Sequence, residues 1–348
     1  MPRERRARAL ASAALAPLVM AGVFLLVAGG FFLSIGKPPL RTLADMVLFA
    51  VGDAYSLSET LVKTAPILLC ALATLLPARL GLVSVGADGQ LFVGAIFGTA
   101  VVLAWPAAPA VILLPAMLLA GIAGGAMFGL VPGILRGRLD VNETITTLLL
   151  NYVGALLVNA LVYGPWKDPG NLGWPATAAF PPAATLPGLL GTRVHAGLLF
   201  GLVAAVVLAA VLGRSRWGTE LAVLRGNQKV GRMIGLSFPR QAMLVMTLGG
   251  GLGGLAGICE VAAIQGRLQP GLSVGYGLTG FLVAWLSGHR PLLTIVVAFL
   301  IGGLIAAGDS LQLYAKVPAA SATILQGLLF ATALAVGGIA GRLRRADG

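Results

Sequence analysis

Ten apolar runs fill most of this chain, and they decide what it can fold into. They occupy residues 10–35, 61–78, 89–105, 109–135, 143–163, 196–213, 240–264, 278–288, 291–308 and 321–341. A bilayer core needs about 20 apolar residues per crossing helix, with a range of roughly 17–25. All but the eighth run approach that length. Only 10% of the residues are charged and 58% are hydrophobic, whereas a soluble domain carries about 25% charged residues. A soluble fold of 348 residues would lack the polar surface to cover itself. The glycines keep no three-residue period, which excludes collagen, and the apolar runs exclude disorder. The chain reads as an all-α polytopic membrane protein of about ten transmembrane helices, one transmembrane domain over residues 1–348.

The first run follows Arg3, Arg5, Arg6 and Arg8, as the core of a secretory signal would. It is longer than the roughly 7–15 residues of such a core. It also ends in Phe31-Phe32-Leu33 rather than small residues, so an uncleaved first span is expected. The eighth run is too short for a regular crossing and reads as a half-helix beside irregular backbone. Such backbone is tolerated at membrane depth only where protein shields it or it lines a wet cavity.

The formal net charge is +12. With the N-terminus placed in the cytoplasm and the spans alternating, 17 of the 24 Lys and Arg residues fall on inner segments. Basic residues collect on that side of membrane proteins, so the charge needs no nucleic acid to explain it. This puts the 1–9 tail, both termini and the 214–240 loop inside, and the 164–195 loop outside. The outer loop is rich in Pro, Gly and Trp and should be stiff. In the inner loop, Leu221 to Ile234 reads as a short amphipathic helix. Ser84-Val85-Gly86 before the third span and Ser273-Val274-Gly275 before the eighth form a weak echo on opposite faces. An inverted repeat with broken helices would produce such an echo.

Polar residues within the apolar runs carry the functional signal, because they are costly there. Asp88, between Gly86 and Gly89, marks either a helix cap or a tight functional turn that also contains Gln90. In the fifth run, Asp140-Val141-Asn142-Glu143 fits a capping box, with Glu143 as the cap. Beyond it, Thr147, Asn151 and Asn159 continue a stripe at i+4, with Tyr152 alongside. The stripe either lines a pathway or bonds helix to helix. In the seventh run, Gly250/Gly254 and Gly253/Gly257 permit close helix contact, and Glu260 lies near the outer end. Cys70 and Cys259 read as packing residues. His195 and His289 lie far apart, so no metal cluster is indicated. The chain has no phosphate loop of the G-x-x-x-x-G-K-[ST] type; energy must come from an ion gradient or a partner chain.

Several stretches resemble one family. Gly81-Leu82-Val83-Ser84-Val85-Gly86-Ala87-Asp88-Gly89-Gln90 is similar to the N-I-G-A-E-G-Q stretch of inner-membrane permeases in bacterial ABC importers. These are the ribose, branched-chain amino acid and nucleoside permeases. The segment from Asn142 to Tyr152 resembles the N-E-V-I-S-T-L-M-L-N-Y stretch of the nucleoside-type branch, as does Gly164-Pro165-Trp166-Lys167-Asp168-Pro169-Gly170. Arg225 to Gly235 is similar to the family's cytoplasmic G-x-N-P-x-A-A-x-x-x-G-I loop. The chain departs from the family at Ser84, Asp88, Gln228, Lys229 and Val230.

The resemblance implies a permease subunit of an ATP-driven importer in the bacterial inner (plasma) membrane, not itself an enzyme. A second permease, similar or identical, would pair with it. Cytoplasmic ATP-binding subunits would hold the ATP and Mg, so this chain needs no cofactor, and an extracytoplasmic binding protein would deliver substrate. Asn151, Tyr152, Thr147, Gln90 and Glu260 are the expected substrate-pathway residues. Leu224, Arg225, Gly226, Asn227, Lys229 and Arg232 are the expected coupling residues. A neutral pathway suits a nucleoside or a simple sugar. The alternative, a gradient-driven carrier of a small neutral solute, needs ionisable groups in its core, and only Glu260 and Asp88 offer them.

Overall fold

The structure, a computed structural model, describes residues 19, 21–171, 173–314, 316–318 and 320–346, without the side chains of 190, 334 and 336–346. The tail over 1–9, the start of the first span and the last two residues lie outside the described residues. The described chain is almost wholly helical. Seven of its helices are long and apolar enough to cross a membrane, or eight if one bent pair counts as a span. Two shorter apolar helices, Tyr276–Leu286 and Ala320–Ala333, fall on the eighth and tenth runs. The chain divides into two compact units, residues 1–60 with 303–348 and residues 61–302.

In the first unit, α1 (Ala21–Ser34) and α2 (Pro39–Val51) meet at 112°. The bend is local chemistry. Gly36 takes φ +72°, Pro38 is extended, and Pro39 sits in the first turn of α2, where its missing N–H costs nothing. The sequence showed one straight span here and no element over 39–51, which the structure corrects. α2 buries Thr42 and Met46 on one face. Arg41 and Asp45, each just before a buried residue, interrupt its apolar residues and hide it. Phe32, Met46, Leu304, Leu311 and Leu325 form the core of this unit, and Phe49 stacks on Tyr314 with ring centroids 5.6 Å apart. Asp53 then starts α3 (Ala54–Arg79) by accepting from the Ser56 N–H at 2.6 Å. The helix therefore begins earlier than its apolar run.

In the second unit, α3 is buried without a break from Thr64 to Ala78. Around it come α4 (Ala87–Ala104), α5 (Ala110–Leu139), α6 (Glu143–Tyr163), α7 (Ala196–Arg214) and α10 (Phe238–Glu260). Helices α4, α5 and α10 touch backbone to backbone. A Cβ on Gly254 would strike the Gly121 carbonyl, one on Gly250 the Gly125 carbonyl, and one on Gly257 the Leu91 carbonyl. The small-residue pairs of the seventh run therefore form its helix contacts, as expected. Helix α10 runs on as a π-turn over Val261–Gln265, closed by Gly266 at φ +64°. The 164–195 loop is bonded to the π-turn and the backbone just after it: Thr177 N–H to Leu268 O at 3.0 Å, Phe180 N–H to Gly266 O at 2.8 Å and Leu186 N–H to Ala262 O at 3.1 Å. After 266–275, α11 (Tyr276–Leu286) is a helix of 11 residues. It is followed by α12 (Pro291–Tyr314) and α13 (Ala320–Ala346).

Gly254→Leu should destabilise the permease by about 3 kcal/mol or more, because an overpacked rigid contact cannot relax. Gly213→Ala, where nothing lies within 4 Å of the new Cβ, should be tolerated. Thermal midpoints of the detergent-solubilised variants check this; equal midpoints would show that the glycine seam is not a tight contact.

Candidate functional site

Between α3 and α4, residues 80–86 form an irregular turn, and the polar stripe of α6 is spent on it. Glu143 Oε1 accepts from the Val83 N–H at 3.1 Å, and Thr147 Oγ1 from the Val85 N–H at 3.2 Å. Asn151 Oδ1 accepts from the Gly89 N–H at 2.8 Å, while its Nδ2 donates to the Val85 carbonyl at 2.8 Å. Thr144 Oγ1 adds a bond to the Val83 carbonyl at 3.1 Å. Side chains four residues apart stack along one helix face, so they pair in succession with the backbone from Val83 to Gly89.

The start of α6 differs from the capping box read in the sequence. Asn142 is the N-cap and accepts from the Thr144 and Ile145 N–H groups. Glu143 instead reaches the turn and Arg136, at 3.2 Å. Asp140 ends α5 in the left-handed region at φ +53° and pairs with Arg136 at 2.7 Å. Tyr152, one residue beyond Asn151, points elsewhere and is 70% exposed, amid exposed Leu148, Leu149 and Leu156. Gln90 is buried, and a Cβ on Gly253 of α10 would stand 2.9 Å from its Oε1.

Asp88 does not cap its own helix, because α4 starts at Gly86 without a side-chain bond. Its carboxylate caps α11. Oδ1 accepts from Ser273 Oγ at 2.6 Å and from the Gly277 N–H at 2.9 Å, and Oδ2 accepts from the Leu278 N–H at 3.2 Å. Ser273 Oγ in turn accepts from the Gly275 and Tyr276 N–H groups. Orphan N–H groups and the positive end of the helix dipole both favour a carboxylate here. Gly277 permits the approach, since a Cβ there would collide with the Asp88 backbone. Asp88, two residues past the first echo segment, thus bonds Ser273 of the second, so the segments do not lie on opposite faces as the sequence reading expected. Sequence reading missed Ser273 and Thr144 as members; the repeated Ser-Val-Gly was the available signal for the former.

At the other end of α10, Glu260 is buried in the protein. Gln265, Lys63 and Arg193 lie within its electrostatic reach. Nearby His195 is the N-cap of α7, its Nδ1 accepting from the Gly197 N–H at 3.2 Å. Burial pushes its imidazole down to about 4, so it is neutral at physiological pH.

The expected amphipathic helix over Leu221 to Ile234 is two helices, α8 (Arg216–Gly226) and α9 (Gln228–Met233). Asn227 breaks them apart. It ends α8 with extended backbone, and its side chain accepts from the Lys229 and Val230 N–H groups to start α9. Leu221 and Leu224 are buried, and Gly231 packs on Leu224. Arg225, Gly226, Lys229 and Arg232 are exposed. The structure thus brings Thr147, Asn151 and Gln90 to the 80–86 turn, and leaves Tyr152, Glu260 and the coupling residues at three other places.

Residues 56–334 match the model of the branched-chain amino acid transport system / permease component family. The chain is 34% identical over 328 residues to the glucose ABC transporter permease protein TsgB13 of Haloferax volcanii, covering 90% of this chain and 85% of that one. It is 29% identical over 304 residues to the guanosine ABC transporter permease protein NupP of Bacillus subtilis, covering 84% and 86%. A solved structure, PsaBC from Streptococcus pneumoniae in complex with Fab, superposes with a TM-score of 0.50 at 11% identity, covering 84% of this chain and 95% of that one. That likeness is one of fold.

Asp88→Asn should loosen the start of α11 without unfolding the protein, since one of the carboxylate's acceptor oxygens is lost, a cost of about 1 kcal/mol. Amide hydrogen exchange at residues 276–279 should speed up several-fold, with α10 unchanged. Unaltered exchange there would show that the carboxylate does not hold α11.

Proposed function

This chain belongs to the branched-chain amino acid transport system / permease component family, and from that premise we propose that it is the membrane-crossing subunit of an ATP-driven importer for nucleosides or simple sugars, working by alternating access. The observation that carries the substrate class is Tyr152. It stands exposed on an otherwise apolar face of α6, with its phenol free to stack on a base or bond a hydroxyl. Asn151 and Thr147, on the adjoining face, hold the 80–86 turn in place behind it, and Gln90 backs the turn against α10. The named relatives handle glucose and guanosine, both ring solutes rich in hydroxyls. Family membership gives the gradient-driven carrier no support.

The partners follow from the same reading. A second permease, similar or identical, faces the α6 side, and an extracytoplasmic binding protein delivers the solute. ATP and Mg bind on separate cytoplasmic subunits that dock at the exposed α8–α9 segment. The multi-pass chain sits in the cell's inner membrane with both termini and the 214–240 loop on the cytoplasmic side. Glu260, held among cations at the outer end, belongs to the outer mouth of the pathway.

In proteoliposomes containing the full complex, Tyr152→Leu should lower uptake several-fold and change the preference between nucleosides and sugars, while assembly survives. Unchanged rate and selectivity would remove Tyr152 from the pathway. For the docking segment, Asn227→Leu removes the cap that starts α9, worth about 1 kcal/mol. ATP hydrolysis should persist while uptake falls. A cysteine placed at Lys229 should react with an impermeant reagent only from the cytoplasmic side; reaction from outside would invert the orientation.

A further inference from the structure

A cavity of about 360 Å³ opens where the end of α3 meets the α7–α8 junction, lined by Arg79, Leu212, Gly218, Ala222, Arg225 and Gly226. Two arginines line one space. Arg225 belongs to the exposed docking segment, yet its stem folds back onto the protein: its Cγ lies 3.3 Å from where a Cβ would stand on Gly81, a glycine at φ +90°. Arg79, the last residue of α3, is half-buried. Neither arginine has an ion pair among the described residues. A third basic group stands close. His289, between α11 and α12, lies within electrostatic reach of both arginines. Its Nε2 is buried without a hydrogen-bond partner. Burial first, and then Arg225 and Arg79, lower its affinity for a proton.

Like charges gathered in one partly desolvated space repel, and a bound anion turns that repulsion into attraction. The planar guanidinium fork matches phosphate oxygens in a bidentate manner. The cavity is far larger than one water, which occupies about 30 Å³. Its apolar wall, Leu212 and Ala222, suits an esterified phosphate, and α7 beside it exposes Val203, Val206 and Val207. Basic pockets between helices on the cytoplasmic side take lipid phosphates, because that leaflet is anionic. We propose that the Arg79–Arg225 cavity, with His289 at its side, is a phosphate-binding site. The headgroup of an anionic phospholipid and a free phosphate share this chemistry, and the apolar wall favours the lipid. Only the assignment to the inner leaflet rests on the orientation given above, and binding in detergent does not depend on it.

The test uses the purified full-length permease in detergent, titrated with phosphatidylglycerol, phosphatidylcholine or inorganic phosphate and read by native mass spectrometry and thermal midpoint. Phosphatidylglycerol should bind and raise the midpoint well beyond phosphatidylcholine. Losing one charge-assisted contact should weaken it about tenfold in Arg79→Gln, and Arg79→Lys should recover part of the affinity. Arg225→Gln, at an exposed position that any folded variant tolerates, should weaken it similarly, and Arg214→Gln, outside the cavity, should not. Inorganic phosphate that displaces phosphatidylglycerol and raises the midpoint alone supports the site with a free phosphate as its ligand. Equal binding by wild type and the Arg79→Gln/Arg225→Gln double variant overturns the proposal. So does failure of both phosphate probes while an acidic peptide from the ATPase partner binds, which would make the cavity a carboxylate socket.

Discussion

Irregular backbone away from water must find partners for every N–H and C=O, and the turn at 80–86 sets that requirement for the rest of this chain. In lipid each unsatisfied group costs several kcal/mol. The solution is one helix face: Glu143, Thr144, Thr147 and Asn151 pair with Val83, Val85 and Gly89. With the turn held, α4 begins where it does, Asp88 is aimed outward from it, and α11 receives its cap. Removing the α6 stripe would therefore release two helices, not one hydrogen bond.

Much of the architecture was legible in the sequence because it is local. Apolar runs of bilayer length mark helices wherever they occur, and the Gly249 to Gly257 stretch announced a close contact whatever its partner. The spacing of Glu143, Thr147 and Asn151 identified a polar face. What spacing alone leaves open is the destination of such a face. Asn151 bonds residues more than 60 positions earlier, and Asp88 bonds residues nearly 190 positions later. A stripe that could line a pathway or pair with protein looks the same until the opposing backbone is known. α2 escaped notice for another reason: it is short, and Arg41 and Asp45 break its apolar residues so that no run of bilayer length forms over 39–51.

The departures from the family pattern fall on working positions. Asp88 stands where the family has Glu, and it reaches the α11 N–H groups because Gly277 lets the two backbones come close. Lys229 and Val230 stand where the family has alanines, and both are donors to Asn227. Their backbones, not their side chains, make those bonds, so the turn survives the change while the exposed surface of α9 becomes basic.

The glycine seam joining α4, α5 and α10 has a thermal consequence. A soluble core is held by expulsion of water, and its strength fades on cooling because that process carries a large heat-capacity change. Between helices in lipid there is no such expulsion; contact dispersion and weak Cα–H···O bonds supply the cohesion. Glycines also surrender no side-chain rotamers when they pack. Gly254 against Gly121 and Gly250 against Gly125 should thus hold with nearly constant strength across a wide span of temperature, a frame that keeps its stiffness in cold as in warmth.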